Sequence, residues 1–97
     1  MFETGQIVYS KAGRDKGRAF AVVSVSGNYL FLADGVLRKL EKPKKKKFMH
    51  VQKTNETPEE LKNMLTSGRA HNSDIAGYLK KRLENVKKEE ESCQKAT

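Results

Sequence analysis

The amino-acid sequence predicts a mainly β fold, a small five-stranded barrel followed by a C-terminal α-helical extension, and three observations carry that expectation. Residues 1 to 53 break into short segments rich in Val, Ile, Leu, Tyr and Phe, separated by Gly, Asn and Asp. Beyond residue 53 the apolar spacing changes from a period of two to a helical period. Charge follows the same division, with 12 Lys and Arg against 4 Asp and Glu in residues 1–53 and 8 against 8 in residues 54–97.

The first two strands are expected at Gln6–Ser10 and Ala19–Val25, joined by a loop that holds Lys11, Arg14, Lys16 and Arg18 around Gly13 and Gly17. Ser26-Gly27-Asn28 supplies turn chemistry, and Tyr29–Ala33 reads as the third strand. Asp34-Gly35 between apolar runs is a hairpin signal that predicts a type I′ turn and a fourth strand at Val36–Leu40. The run from Lys42 through Pro43 to Lys47 interrupts the pattern, which resumes as a fifth strand at Phe48–Gln52. Strands this short and closely spaced predict a closed barrel of the SH3-like kind.

In the second half, Thr57-Pro58-Glu59-Glu60 has the form of a capping box with proline at the first helical position, predicting a helix over about 58–66 that Ser67-Gly68 ends. A second helix is expected over about 73–88. Ile75, Tyr78, Leu79, Leu83 and Val86 make one apolar stripe there, suited to packing on the flank of the barrel. Residues 87–97 are charged and arrhythmic, and a frayed terminus is expected.

Ninety-seven residues with 36% apolar content suit one small domain, a 1–53 barrel with a 54–97 extension, and leave no room for a large cleft. The lone Cys93 has no internal disulfide partner, which fits a reducing cytoplasm. Met1-Phe2-Glu3 lacks a basic leader, and the apolar runs are too short to span a bilayer, so neither secretion nor membrane insertion is expected.

A cation-rich half points to a polyanionic partner. Three groups supply the cations: Lys11, Arg14, Lys16 and Arg18 in the first loop; Arg38 and Lys39; and Lys42, Lys44, Lys45, Lys46 and Lys47. Gly13 and Gly17 have no Cβ to keep a phosphate away from the loop amides. Arg14 and Arg18 rank above the lysines because a guanidinium can grip a phosphate bidentately and stack on a base. Asp15 is expected to orient the loop arginines or cap the turn, since it would repel a phosphate. Arg38 either meets RNA or pairs with Asp34 across the hairpin. His50 beside the lysine run is a further contact candidate, and Phe48 and Tyr29 are candidates for base stacking. Nothing points to catalysis or to a cofactor: His50 and His71 lie in different segments, and no nucleophile triad, phosphate-binding glycine motif or metal-ligand spacing occurs.

Gly5, Val8, Gly13, Gly17, Val22, Val23 and Val25 resemble the KOW motif, two valine-rich strands around a glycine-containing basic loop. The stretch Ala12–Arg18, then Leu32-Ala33-Asp34-Gly35, Arg38, the basic run and His50-Val51 extend the resemblance to the archaeal and eukaryotic large-subunit ribosomal protein fourteen family and to small bacterial KOW-domain RNA-binding proteins similar to it. It covers residues 5 to 52 and not the tail. What it implies is a non-enzymatic RNA-binding protein of the cytoplasm that docks on rRNA of the large ribosomal subunit, with neighbouring ribosomal proteins as further contacts, and that is a monomer off the ribosome. The alternative is a KOW or SH3-like protein-interaction module of a translation or transcription factor, using the Ile75–Val86 stripe or an aromatic groove.

Overall fold

The structure, a computed structural model, describes residues 2–82. Five strands form one antiparallel sheet: β1 (Ile7–Ser10), β2 (Ala19–Ser26), β3 (Tyr29–Ala33), β4 (Lys44–Lys47) and β5 (Val51–Lys53), in the spatial order β4-β3-β2-β1-β5. A 3₁₀ turn at Phe48–His50 joins β4 to β5. Two helices follow, α1 (Glu59–Thr66) and α2, helical from 72 to the last described residue, 82. Leu83 and Val86 of the expected stripe, and the expected frayed terminus, lie outside the described residues.

Alternation along the strands sorts side chains onto two faces, and both are buried. Val8, Phe20, Val22, Leu30, Leu32 and Val51 form a core on one face, with Phe2 packed against it. On the other, Ile7, Ala21 and Ala33 pack with Leu61 of α1 and Ile75 of α2. Ala21 and Ala33 are register partners, and their small side chains let the helices approach the sheet closely. Ile75 is fully buried and Tyr78 and Leu79 pack beside it, so the described part of the stripe covers the sheet flank as its period requires. A bulge at Val23 shifts the β2–β3 register between Val22 and Ser24, adding twist where the sheet must bend.

Several sequence expectations are corrected. No strand forms at Val36–Leu40; the fourth strand is the lysine run itself, paired with β3 from Tyr29↔Lys47 to Leu32↔Lys44. Asp34 does not take positive φ, as a type I′ turn demands, and its carboxylate caps a loop instead. β4 and β5 are not paired with each other, so backbone hydrogen bonds do not close the sheet into a barrel. The turn at Phe48–His50 uses the residues expected to begin the fifth strand. At α1 the capping box is not made: Pro58 is the N-cap, with ψ 123° and no side-chain cap bond. The linker is fixed before that point, because Ile7 N–H donates to Glu56 O (2.9 Å) and Thr54 Oγ1 donates to Ile7 O (2.5 Å).

Candidate nucleic-acid interface

The 11–18 loop leaves β1 and returns to β2 through a closed neck, in which Ser10 N–H donates to Arg18 O (3.0 Å) and Gly17 N–H to Ser10 O (2.8 Å). Inside this loop Asp15 turns toward the protein while Lys11, Arg14, Lys16 and Arg18 face solvent. Lys46 Nζ reaches Asp15 Oδ1 at 3.1 Å, Ala12 O at 2.8 Å and Ser10 Oγ at 2.5 Å, so its three protons have three acceptors. Lys44 Nζ lies 2.8 Å from Asp15 Oδ2, an oxygen that has no other partner among the described residues. Burial alone would raise the Asp15 pKa, but the Lys44, Lys46 and Ser10 contacts hold it far below the usual carboxylate range.

This arrangement corrects two roles. Asp15 anchors β4, not the loop arginines. Lys46 is buried and fully partnered, so it is a structural residue and not a surface cation.

The Asp34-Gly35 loop supplies the second wall. Asp34 Oδ1 accepts from the amides of Val36 and Arg38, each at 2.9 Å, and Oδ2 pairs with Arg18 Nη2 at 3.3 Å. Asp34 therefore orders its own loop and ties it to the 11–18 loop. Gly35, at φ 81°, lies so close to α2 that a Cβ would fall 2.1 Å from Asn72 O. Asn72 Oδ1 accepts from Leu40 N–H at 2.7 Å and its amide donates to Glu41, which fixes the far end of the loop on α2.

Between these two loops lies a cleft of about 380 Å³ that gathers Arg14, Arg18, Arg38 and Lys44 from segments far apart in the chain. Phe20 and Leu37 supply its apolar surface, while Asp15 and Asp34 stand in the walls. Among the described residues Arg14 and Arg38 have no ion pair, whereas Arg18 and Lys44 are held by Asp34 and Asp15. Two cations are thus fixed and two are free to engage an anion.

The other candidates lie elsewhere. Lys45 and Lys47 project from the opposite face of β4 to Lys44 and Lys46, as strand alternation requires. Lys45 Nζ sits 4.3 Å from the centroid of the Tyr29 ring, a cation–π contact that occupies one face of that stacking candidate. Lys11 N–H donates to His50 O (2.9 Å), which brings those two exposed residues together beside Phe48. Lys39 and Lys42 stand on the turn that leads into β4, closed by Lys42 N–H to Lys39 O (3.0 Å). Lys16, Gly13 and Gly17 are exposed in the first loop.

Sequence reading also missed a polar network on the α2 side. Arg82 Nε donates to Glu56 Oε1 at 2.7 Å, Tyr78 bonds the other Glu56 oxygen, and Arg82 reaches the Tyr9 hydroxyl and lies 5.0 Å from that ring's centroid. Burial and the Glu56 hydrogen bond push the Tyr78 phenol up to about 12. Glu56 is lowered, since the Tyr78 and Arg82 contacts outweigh its burial. An acid at 56 with Tyr and Arg four residues apart on a helix was the available signal, but only the fold brings them together.

Among the described residues no cluster of His, Cys, Asp and Glu could hold a metal ion, and no helix is long and apolar enough to cross a membrane. No protein-family model and no curated protein matches the chain.

Proposed function

We propose that this chain is a non-enzymatic RNA-binding protein of the KOW type, docking on rRNA of the large ribosomal subunit through its basic half. The observation that carries the reading is the cleft lined by Arg14, Arg18 and Arg38, because guanidiniums gathered around one space match phosphate oxygens, and Arg14 and Arg38 have no ion-pair partner among the described residues. The strand order β4-β3-β2-β1-β5 supports an SH3-like barrel opened between its end strands, with Lys46 of β4 reaching Ser10 at the end of β1 and Asp15 in the loop that follows. Cytoplasmic, ribosome-associated action belongs to the same reading. Of the two surfaces that the protein-module alternative would use, a helical stripe or an aromatic groove, the described part of the stripe, Ile75 with Tyr78 and Leu79, is packed against the sheet.

The structure changes which residues test the proposal. Arg18 holds Asp34, so reversing its charge would place two carboxylates together and unsettle the loop. Arg14→Glu and Arg38→Glu are cleaner. Each is expected to weaken co-sedimentation with large subunits in a sucrose gradient without lowering the melting temperature, and full retention by the double variant overturns the interface.

A further inference from the structure

The cationic cleft is larger and more apolar than a phosphate group requires. Its volume of about 380 Å³ falls at the lower end of small-ligand pockets, roughly 300–1,000 Å³. Leu37, 65% exposed, lines it beside Phe20, while Arg14 and Arg38 supply the unpaired charge. An aliphatic side chain so exposed has nothing to meet on a phosphate rail.

The loop that presents Leu37 is held rigidly. The Asp34 carboxylate fixes the amides of Val36 and Arg38, Asp34 and Gly35 N–H both donate to Arg38 O (2.9 and 3.1 Å), and Asn72 holds Leu40 N–H. Gly35 is wedged against the backbone of α2. A loop fixed on both sides loses little entropy when its tip is covered, so its exposed Leu37 is preorganised for contact.

Resting on the RNA-binding reading above, we propose that this cleft receives one unpaired nucleotide, its phosphate held by Arg14 and Arg38 and its base laid against Leu37. The chemistry that fits is an anion joined to a flat, weakly polar ring, which a guanidinium plane and an aliphatic side chain can both cover. A continuous A-form duplex keeps its bases stacked inside and offers the cleft only phosphate and ribose. The protein therefore prefers single-stranded or bulged RNA to uninterrupted duplex.

The test is fluorescence anisotropy on the full chain, comparing a labelled single-stranded RNA of about ten nucleotides with the same strand fully paired, at one salt concentration. The single strand is expected to bind about ten-fold more tightly, and Leu37→Ser to remove most of that difference while duplex binding and the circular dichroism spectrum stay unchanged. Leu37→Phe is expected to keep the preference. Equal affinity for both RNAs, or equal loss on both in Leu37→Ser, overturns the nucleotide cleft and leaves the RNA-binding reading standing. Binding to neither RNA overturns both. Displacement of the single strand by a phosphoserine peptide as readily as by unlabelled RNA assigns the cleft to a protein ligand and also overturns the proposal.

Discussion

Turning Asp15 inward sets the chemistry of the 11–18 loop, because it converts a carboxylate that would repel phosphate into the counter-ion of two lysines on β4. Its side chain is 11% exposed and that of Lys46 9%, so removing either partner leaves a poorly hydrated charge. Asp15→Ala is expected to cost about 3 kcal/mol in urea denaturation, and Asp15→Ala with Lys46→Met less than the sum of the two single changes. The pH dependence follows in sign. Because folding lowers the Asp15 pKa from its ordinary value near 3.8, the stabilisation is fully present above that pH and is lost as pH falls below it. Tyr78 acts in the opposite direction. Its pKa rises from 10.0 to about 12 on folding, so its contribution is complete below pH 10 and fades as pH climbs toward 12. Thermal melts at pH 7 and pH 11 are expected to show a smaller alkaline loss in Tyr78→Phe than in the parent chain.

Among the elements, β4 departs furthest from local preference. Four consecutive lysines have weak strand propensity, yet Lys44–Lys47 pairs with Tyr29–Leu32 of β3. Two long-range facts decide it: β3 offers a free edge, and Asp15, Ser10 and Ala12 O wait for every second side chain. The sequence signal at Asp34-Gly35 was sound as a turn and misleading as a hairpin, because the Asp34 carboxylate satisfies the amides that a partner strand would have taken. Gly35→Ala tests how tightly this loop is fitted. Positive φ and the approach to Asn72 O both oppose a Cβ, and a loss of at least about 2 kcal/mol is expected from denaturant midpoints.

At the scale of the molecule, a sheet buried on both faces explains how a short chain carries so many surface cations. The helices share a core with the sheet, so Ile75→Ala is expected to cost about 3 kcal/mol and to unfold strands and helices in one transition seen by both circular dichroism and denaturant titration. RNA affinity is expected to fall with log salt at a slope of about −0.7 for each phosphate engaged on a single strand, and Arg14→Ala to reduce that slope by nearly one contact.

Local pattern determined much of this protein. The first three expected strands, the last two residues of the fifth, both helices and the buried side of the described part of the helical stripe were legible because alternation, helical period and turn residues act over a few positions. The concentration of cations in the first 53 residues was equally plain. Only the tertiary structure decided which cations are free. Lys44 and Lys46 meet a carboxylate 29 and 31 residues away and Arg18 one 16 residues away, while Arg14 and Arg38 keep theirs unpaired among the described residues. Charge is a property of each residue, but its availability depends on distant groups brought within about 4 Å, and no local pattern encodes that approach.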